Sequence, residues 1–126
     1  MSDRPRTVLV ADDDESFRRV QQYQLERAGY VVTACADGDA ALDAFREGLH
    51  DVVVTDIRMP GLDGMDVLKT IKQRWPDSEV VVITGYPTIE SAKEAVRLGA
   101  CDYIAKPVER NRLLISVANT VHRLTL

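Results

Sequence analysis

The chain has 126 residues, of which 45% are hydrophobic and 29% are charged, and its formal net charge is −4 at pH 7. This composition fits one globular domain. The sequence has no secretory pattern and no apolar run near 20 residues, so it predicts neither a signal peptide nor a membrane-spanning segment. The acidic balance argues against direct nucleic-acid binding, and two widely separated cysteines predict reduced thiols and a cytoplasmic location.

Short apolar segments alternate with amphipathic segments along the chain, and each has the length of a strand or a helix. The predicted strands cover residues 7–11, 30–34, 51–55, 79–84 and 101–105. The predicted helices cover residues 15–28, 38–47, 64–75, 88–98 and 109–124. The third and fourth strands are nearly continuous runs of Val and Ile, which indicates a parallel sheet buried on both faces.

This alternation predicts a (βα)5 architecture, an α/β fold with a doubly wound, five-stranded parallel sheet. Alternation alone leaves the strand order open, and the flavodoxin-like order 2-1-3-4-5 is the common one for five strands. In that order the carboxyl ends of strands one and three open on the same crevice, where ligands bind in open α/β sheets. We expect a single domain over residues 1–126, with a folded core from about residue 6 to residue 124.

The last predicted helix carries two sets of side chains on different faces. The set expected to face the core is Leu113, Leu114, Val117 and Val121. The set on another side is Ile115, Ala118 and His122. A partner or a second copy of the chain could dock on this second set. Alternatively, these residues only flank the buried stripe and have no binding role. The sequence leaves both interpretations open.

Acidic residues follow two strands that the predicted order makes neighbours. Strand one runs directly into Asp12, Asp13 and Asp14, and strand three leads into Asp56. Carboxylates crowded at one edge repel each other, and a hard divalent cation such as Mg²⁺, which prefers oxygen ligands, relieves the repulsion. The alternative is that Asp13 or Asp14 only caps the first helix. An aspartate pair that faces a third aspartate across the crevice favours the metal site.

The other two strands that reach this edge supply a hydroxyl and an ammonium group. Thr84 ends strand four, and Lys106 follows strand five directly before Pro107. Each residue alone is an ordinary strand or surface residue, but four strand ends with complementary groups indicate a site for a doubly charged oxyanion. The Lys106–Pro107 pair could carry a cis peptide bond, a geometry found in about 5–6% of X–Pro bonds.

Several kinds of chemistry are excluded by missing motifs. The chain contains neither of two glycine-rich nucleotide-binding motifs, the G-x-x-x-x-G-K-[ST] loop and G-x-G-x-x-G. It also lacks the G-x-S-x-G nucleophile elbow. Its two histidines, His50 and His122, are expected on the surface near helices, away from the crevice. The groups that remain are a carboxylate nucleophile, a metal and a lysine, which are the parts for phosphoryl transfer onto an aspartate.

Four segments in this order resemble the receiver domain of response regulators in two-component signalling. They are residues 8–14 (VLVADDD), 55–64 (TDIRMPGLDG), 82–85 (VITG) and 103–107 (YIAKP). The resemblance extends from Arg6 to about Leu124 and is strongest to receivers of NtrC-type transcription activators. It leaves open whether the protein is a single-domain regulator or has an output domain after Leu126.

The resemblance implies a role for each residue of the acidic cluster. It makes Asp56 the phosphoryl acceptor and one of the Mg²⁺ ligands. Asp13 would bind Mg²⁺ directly, the backbone carbonyl of Arg58 would be a further ligand, and Asp12 would act through water. The phosphoryl donor would be a phosphohistidine on a sensor histidine kinase or a phosphotransfer protein.

The resemblance also implies how the phosphoryl group would be sensed. Lys106 would pair with the acyl phosphate, and the hydroxyl of Thr84 would turn toward it. Tyr103 would then swing inward behind Thr84. The response would reach the face formed by helix 4, strand 5 and helix 5, where an output domain or a second copy would dock.

Two other functions compete with this interpretation. One is a Mg²⁺-dependent aspartyl-phosphate hydrolase of the haloacid-dehalogenase type, which needs a second aspartate two residues after the nucleophile, where this chain has Arg58. The other is a pseudo-receiver that acts only as a binding module, although such proteins usually lose an acidic or lysine position.

The first helix differs from that of many family members, because it carries Gln21 and Gln24 where they have apolar residues.

Overall fold

Five parallel strands form one sheet in the order β2-β1-β3-β4-β5 in the computed structural model, which describes residues 6–46 and 50–124. The strands are β1 (Thr7–Ala11), β2 (Val31–Cys35), β3 (Val52–Asp56), β4 (Glu79–Thr84) and β5 (Asp102–Ala105). The helices are α1 (Glu15–Arg27), α2 (Gly38–Ala44), α3 (Gly64–Arg74), α4 (Ile89–Arg97) and α5 (Arg112–Leu124). The predicted fold class and the predicted strand order are confirmed.

Two helices differ from their predicted bounds by more than one residue at an end, for local reasons, and the other three differ by one residue. The backbone of Phe45 is extended, with ψ 134°, so α2 ends at Ala44. The predicted end of this helix at residue 47 lies outside the described residues. Helix α5 begins three residues later than predicted because Asn111 has a left-handed backbone with φ 70°, a conformation that asparagine tolerates better than most residues.

Two apolar layers, one on each face of the sheet, account for the continuous apolar strands. Alternate residues of β1 contribute to each layer: Leu9 packs on the side of α2 and α3, and Val8 and Val10 pack on the side of α1 and α5. In α5, Leu113 and Val117 are buried, and Leu114 and Val121 are partly buried against the same layer, so the predicted core stripe is confirmed. Burial of both faces fixes β1 and β3 at the centre of the sheet.

His50 is buried, with 5% of its surface exposed, so the prediction that it lies on the surface is wrong. Its Nδ1 accepts a hydrogen bond from the Arg46 N–H at 2.9 Å, and its Nε2 lies 3.2 Å from the Thr33 hydroxyl. The ring also packs against Phe45, with the centroids 5.8 Å apart. Burial lowers the pKa of His50, and the positive charge of Arg46 lowers it further.

None of the helices within residues 6–46 and 50–124 is both long enough and apolar enough to cross a bilayer.

Candidate phosphoryl-acceptor and metal site

The carboxyl ends of β1 and β3 bring three aspartates together. Asp56 is the last residue of β3, and Asp12 directly follows β1, its neighbour in the sheet. Carboxylate oxygens of Asp12, Asp13 and Asp56 all lie within 4.8 Å of one another. Asp12 and Asp56 are buried, whereas Asp13 is exposed to solvent. The sequence therefore predicted the residues that meet at this edge.

The capping alternative applies to Asp14 rather than to Asp13. The Asp14 carboxylate accepts a hydrogen bond from the Phe17 N–H at 3.1 Å and caps α1. The Asp14 N–H in turn donates to Oδ1 of Asp12 at 2.9 Å. The start of α1 thus orients Asp12 and leaves the Asp13 carboxylate within reach of the other two.

The buried carboxylate of Asp12 fits a divalent cation. Its Oδ2 accepts no hydrogen bond from any residue that the structure describes, although Lys106 Nζ lies 3.0 Å away as an ion pair. Burial raises the pKa of Asp12, and the nearby Asp56 charge raises it further, against the lowering effects of the Asp14 N–H and Lys106. Because all the clustered side-chain donors are carboxylate oxygens, a hard cation such as Mg²⁺ suits them.

Lys106 lies between the carboxylates and an aromatic ring. Its ammonium donates to Oδ2 of Asp56 at 3.1 Å, and it lies 4.4 Å from the centre of the Phe17 ring. Burial lowers the pKa of Lys106, but the carboxylates of Asp12 and Asp56 outweigh burial and raise it above its usual value. The peptide bond between Lys106 and Pro107 is cis. Sequence reasoning missed Phe17, because the helical spacing indicates only that it belongs to an apolar face.

Thr84 ends β4 with its hydroxyl engaged in a local hydrogen bond. The side chain is buried, and its Oγ1 accepts from the Tyr86 N–H at 3.0 Å. The ring of Tyr86 stacks with the Arg58 guanidinium, 4.3 Å from the ring centre. Because the Arg58 N–H also donates to Asp56 Oδ1 at 3.3 Å, this stack connects the loops that follow β3 and β4.

Tyr103 is connected to the start of α4. Its hydroxyl lies 2.6 Å from Oγ of Ser91, and either oxygen can donate. Ser91 and Thr88 form the capping box of α4, in which each side chain accepts from the other residue's N–H. Sequence reasoning missed this contact; the Thr88-x-x-Ser91 spacing signals a helix start but not its aromatic partner.

Gly64 allows α3 to begin directly against the end of β3. Its N–H donates to the Ile57 carbonyl at 2.8 Å. A Cβ at position 64 would collide with the backbone carbonyl of Asp56. The glycine therefore permits the close backbone approach that closes the loop after Asp56.

The fold and the aspartate cluster match those of a known class of signalling domain. The chain belongs to the response regulator receiver domain family, whose sequence profile matches residues 8–118. The family prediction made from the four sequence segments is therefore confirmed.

Curated relatives of this chain include transcriptional regulators. It is 36% identical over 116 residues to the transcriptional regulatory protein FixJ of Bradyrhizobium diazoefficiens. This alignment covers 92% of the chain and 57% of FixJ. It is 38% identical over 114 residues to the DNA-binding transcriptional regulator NtrC of Escherichia coli K12. This second alignment covers 90% of the chain and 24% of NtrC. The chain thus spans about half of one relative and a quarter of the other.

Solved structures of similar shape are receiver domains. A receiver domain protein from Clostridium thermocellum superimposes with a TM-score of 0.88 at 34% identity, covering 95% of this chain and 97% of that one. A CheY-like receiver from Methanospirillum hungatei JF-1 gives 0.90 at 25% identity, with 95% and 96% coverage. A BeF3-activated DrrB receiver domain gives 0.85 at 27% identity, with 94% and 99% coverage.

Proposed function

We propose that this chain is a phosphorylation-dependent signalling switch in which Asp56 accepts a phosphoryl group from a phosphohistidine. The donor would belong to a sensor histidine kinase or a phosphotransfer protein, in the cytoplasm. The observation that carries the proposal is the position of Asp56, within 4.8 Å of two other aspartates and 3.1 Å from the Lys106 ammonium. A carboxylate nucleophile beside a cation-binding cluster and a fixed positive charge suits phosphoryl transfer.

In the proposed reaction, an Asp56 carboxylate oxygen attacks phosphorus in line with the bond to the donor imidazole. The new O–P bond forms as the P–N bond breaks, and the imidazole leaves with the electron pair. Mg²⁺ would be held by Asp13, Asp56 and the Arg58 carbonyl, with Asp12 acting through water, and when bound it supplies charge neutralisation at the phosphoryl oxygens. Lys106 would neutralise the remaining charge and keep the acyl phosphate oriented.

The product would be sensed by the hydroxyl groups on β4 and β5. A phosphoryl group on Asp56 adds acceptor oxygens within the site, and the Thr84 hydroxyl could turn toward them by giving up its bond from the Tyr86 N–H. An inward movement of Tyr103 would likewise break its contact with Ser91 at the start of α4. The local electrostatic change would thereby reach α4.

The face formed by α4, β5 and α5 is our candidate for the output surface. Its exposed apolar side chains are Ile89 and Val96 on α4 and Ile115 on α5. Ala118 and His122, the other members of the predicted second set on α5, are exposed as well. An output domain or a second copy of this chain could dock there, and the transcriptional regulators among the relatives favour control of transcription. We propose residues 1–126 as one receiver unit, with no direct contact with nucleic acid.

The hydrolase alternative is disfavoured by the side chain of Arg58. That position would have to supply the general acid, but the Arg58 guanidinium stacks on Tyr86 and carries no proton that it can release at neutral pH. A binding module that works without phosphorylation is distinguished by the labelling experiment that follows.

Intact-protein mass spectrometry after incubation with acetyl phosphate and Mg²⁺ tests the proposal. We expect one added phosphoryl group on the wild-type chain and none on Asp56→Asn. Asp66→Asn, an exposed residue in the first turn of α3, is the matched control and should be labelled as the wild type is. Labelling of Asp56→Asn at the wild-type rate would refute the acceptor assignment, and an unlabelled wild type would favour the binding module.

A further inference from the structure

We propose that Phe17 is a positioning residue for Lys106, and that its ring holds the ammonium in the orientation needed for phosphoryl transfer. The inference rests on the proposed function of Asp56 and Lys106. The observation behind it is that Lys106 Nζ lies 4.4 Å from the centre of the Phe17 ring while it contacts both Asp12 and Asp56. An ammonium over an aromatic face within about 6 Å is attracted by the ring quadrupole.

The first turn of α1 fixes the Phe17 ring relative to the acidic cluster. The Phe17 N–H donates to the Asp14 cap at 3.1 Å, and the Asp14 N–H donates to Asp12 at 2.9 Å. The Phe17 side chain is half-buried and packs against the apolar layer on the α1 and α5 side of the sheet. The ring is therefore held by the same short segment that orients the Asp12 carboxylate.

The ring limits the directions that the lysine side chain can take. A lysine has four side-chain methylene groups and loses considerable rotamer entropy when its ammonium is held at one point. Here the ammonium has Asp56 and Asp12 as ionic partners at 3.1 and 3.0 Å and the ring as a third contact, and the side chain is only 20% exposed. The ring belongs to α1, so this contact comes from a different element than β3, which carries Asp56.

A fluorinated phenylalanine series at position 17 separates this electrostatic role from packing. Fluorine substitution on the ring weakens its negative face with little change in ring shape, so the attraction to Lys106 should fall stepwise from phenylalanine to trifluorophenylalanine. We expect the rate constant for labelling of Asp56 by acetyl phosphate to fall in the same steps, by about two- to five-fold in all. The Mg²⁺ dissociation constant, measured separately by titration, should stay unchanged.

Phe45 provides the matched control, because it is the other phenylalanine of the chain and lies buried in the opposite apolar layer. The same fluorinated series at position 45 should leave the labelling rate constant flat. Phe17→Leu should label more slowly than the wild type, and Phe17→Trp, which restores a strong aromatic face, should recover the rate.

The outcomes separate the two proposals. A wild type in which Asp56 takes no phosphoryl group refutes the proposed function and this inference with it. A wild type labelled at Asp56, together with a flat fluorinated series at position 17, overturns the role of Phe17 alone. Should Phe17→Leu fold poorly, the fluorinated series still decides, since it preserves the packing of the ring.

Discussion

The two halves of the crevice are built differently. The β1–β3 edge, with Asp12, Asp13 and Asp56, extends from two central strands whose residues are all buried. The β4–β5 edge, with Thr84 and Tyr103, leads into residues 85–90, which are all exposed. Each hydroxyl at this second edge has one described contact, to Tyr86 and to Ser91 respectively.

This difference suits the proposed function, in which the tightly packed edge carries the phosphoryl transfer and the other edge carries the response. Carboxylates that must meet a cation and a phosphoryl group gain from strands held on both faces, because reaction depends on fixed geometry. In the proposed response, the hydroxyl groups on β4 and β5 change partners, and they gain from an adjoining loop that carries few buried contacts, since such regions open at low free-energy cost. Variants of the aspartates at the first edge should therefore abolish labelling, and variants of Thr84 and Tyr103 at the second should alter the response to it.

Removal of Asp13 should have the largest effect. We expect Asp13→Ala to lower labelling by acetyl phosphate more than about 100-fold, since the variant lacks a direct ligand of the proposed Mg²⁺. At Mg²⁺ ten times its dissociation constant, the wild type should gain about 1.4 kcal/mol in the free energy of unfolding, and the variant much less. Without Mg²⁺ the variant should be at least as stable as the wild type, because one of three crowded like charges is gone.

Thermal unfolding with and without Mg²⁺ measures this difference. Asp77→Ala is the control, because it removes an equal charge at an exposed position in the loop after α3. It should retain the wild-type gain in stability from Mg²⁺. An equal gain in Asp13→Ala and the wild type would show that Asp13 does not bind the ion.

A methyl group at position 64 should distort the backbone at the carboxyl end of β3. We expect Gly64→Ala to lower the free energy of unfolding by about 2–4 kcal/mol, because its Cβ would collide with the Asp56 carbonyl and neither backbone can yield easily. Labelling of Asp56 should slow as its loop shifts. Urea unfolding measures the first effect and mass spectrometry the second.

Gly85→Ala is the matched comparison on the β4–β5 edge. There the nearest atom to the added Cβ is Lys106 Cδ at 3.8 Å, an ordinary contact, so the stability change should stay within about 0.5 kcal/mol. Equal losses in the two variants would contradict the view that the loop after β3 is packed more tightly than the loop after β4.

Ser91→Ala should act on the response rather than on the chemistry. It removes half of the α4 capping box and the partner of the Tyr103 hydroxyl, at an expected cost of about 1 kcal/mol in the free energy of unfolding. The rate of labelling at Asp56 should change less than two-fold. Amide NMR shifts at the start of α4 should move part of the way toward those of the BeF3-bound wild type.

Tyr103→Phe tests whether that shift comes from the Tyr103 contact. It removes the same hydroxyl contact from the other side and leaves the capping box intact. If α4 shifts in Ser91→Ala but not in Tyr103→Phe, the cap alone is responsible, and Tyr103 does not transmit the change. A double-mutant cycle gives the coupling between the two residues.

Local patterns in the sequence were enough to predict most of the fold and the acidic cluster. Runs of Val and Ile that end in aspartate indicate both a buried strand and what lies at its carboxyl end, so the meeting of Asp12, Asp13 and Asp56 follows from strand order. The contacts of Phe17 and Ser91 could not be predicted this way, because each joins side chains from separate elements whose distance depends on how helices pack. His50 was misplaced for the same reason, since its partners on β2 and beside α2 are set by tertiary packing.

A last and small effect is expected away from both edges, at His50 before β3. Its folded-state pKa is lowered by burial, so the unfolded chain binds the proton more readily below its ordinary pKa of about 6.5. The neutral ring's contribution to stability is therefore fully present above that pH and is lost as the pH falls below it. Between pH 7 and pH 6 the free energy of unfolding should fall by at most about 0.7 kcal/mol from this group. Urea unfolding at both pH values should show a smaller fall in His50→Gln than in the wild type. An unchanged pH dependence in His50→Gln would mean that the buried ring does not control stability in this range.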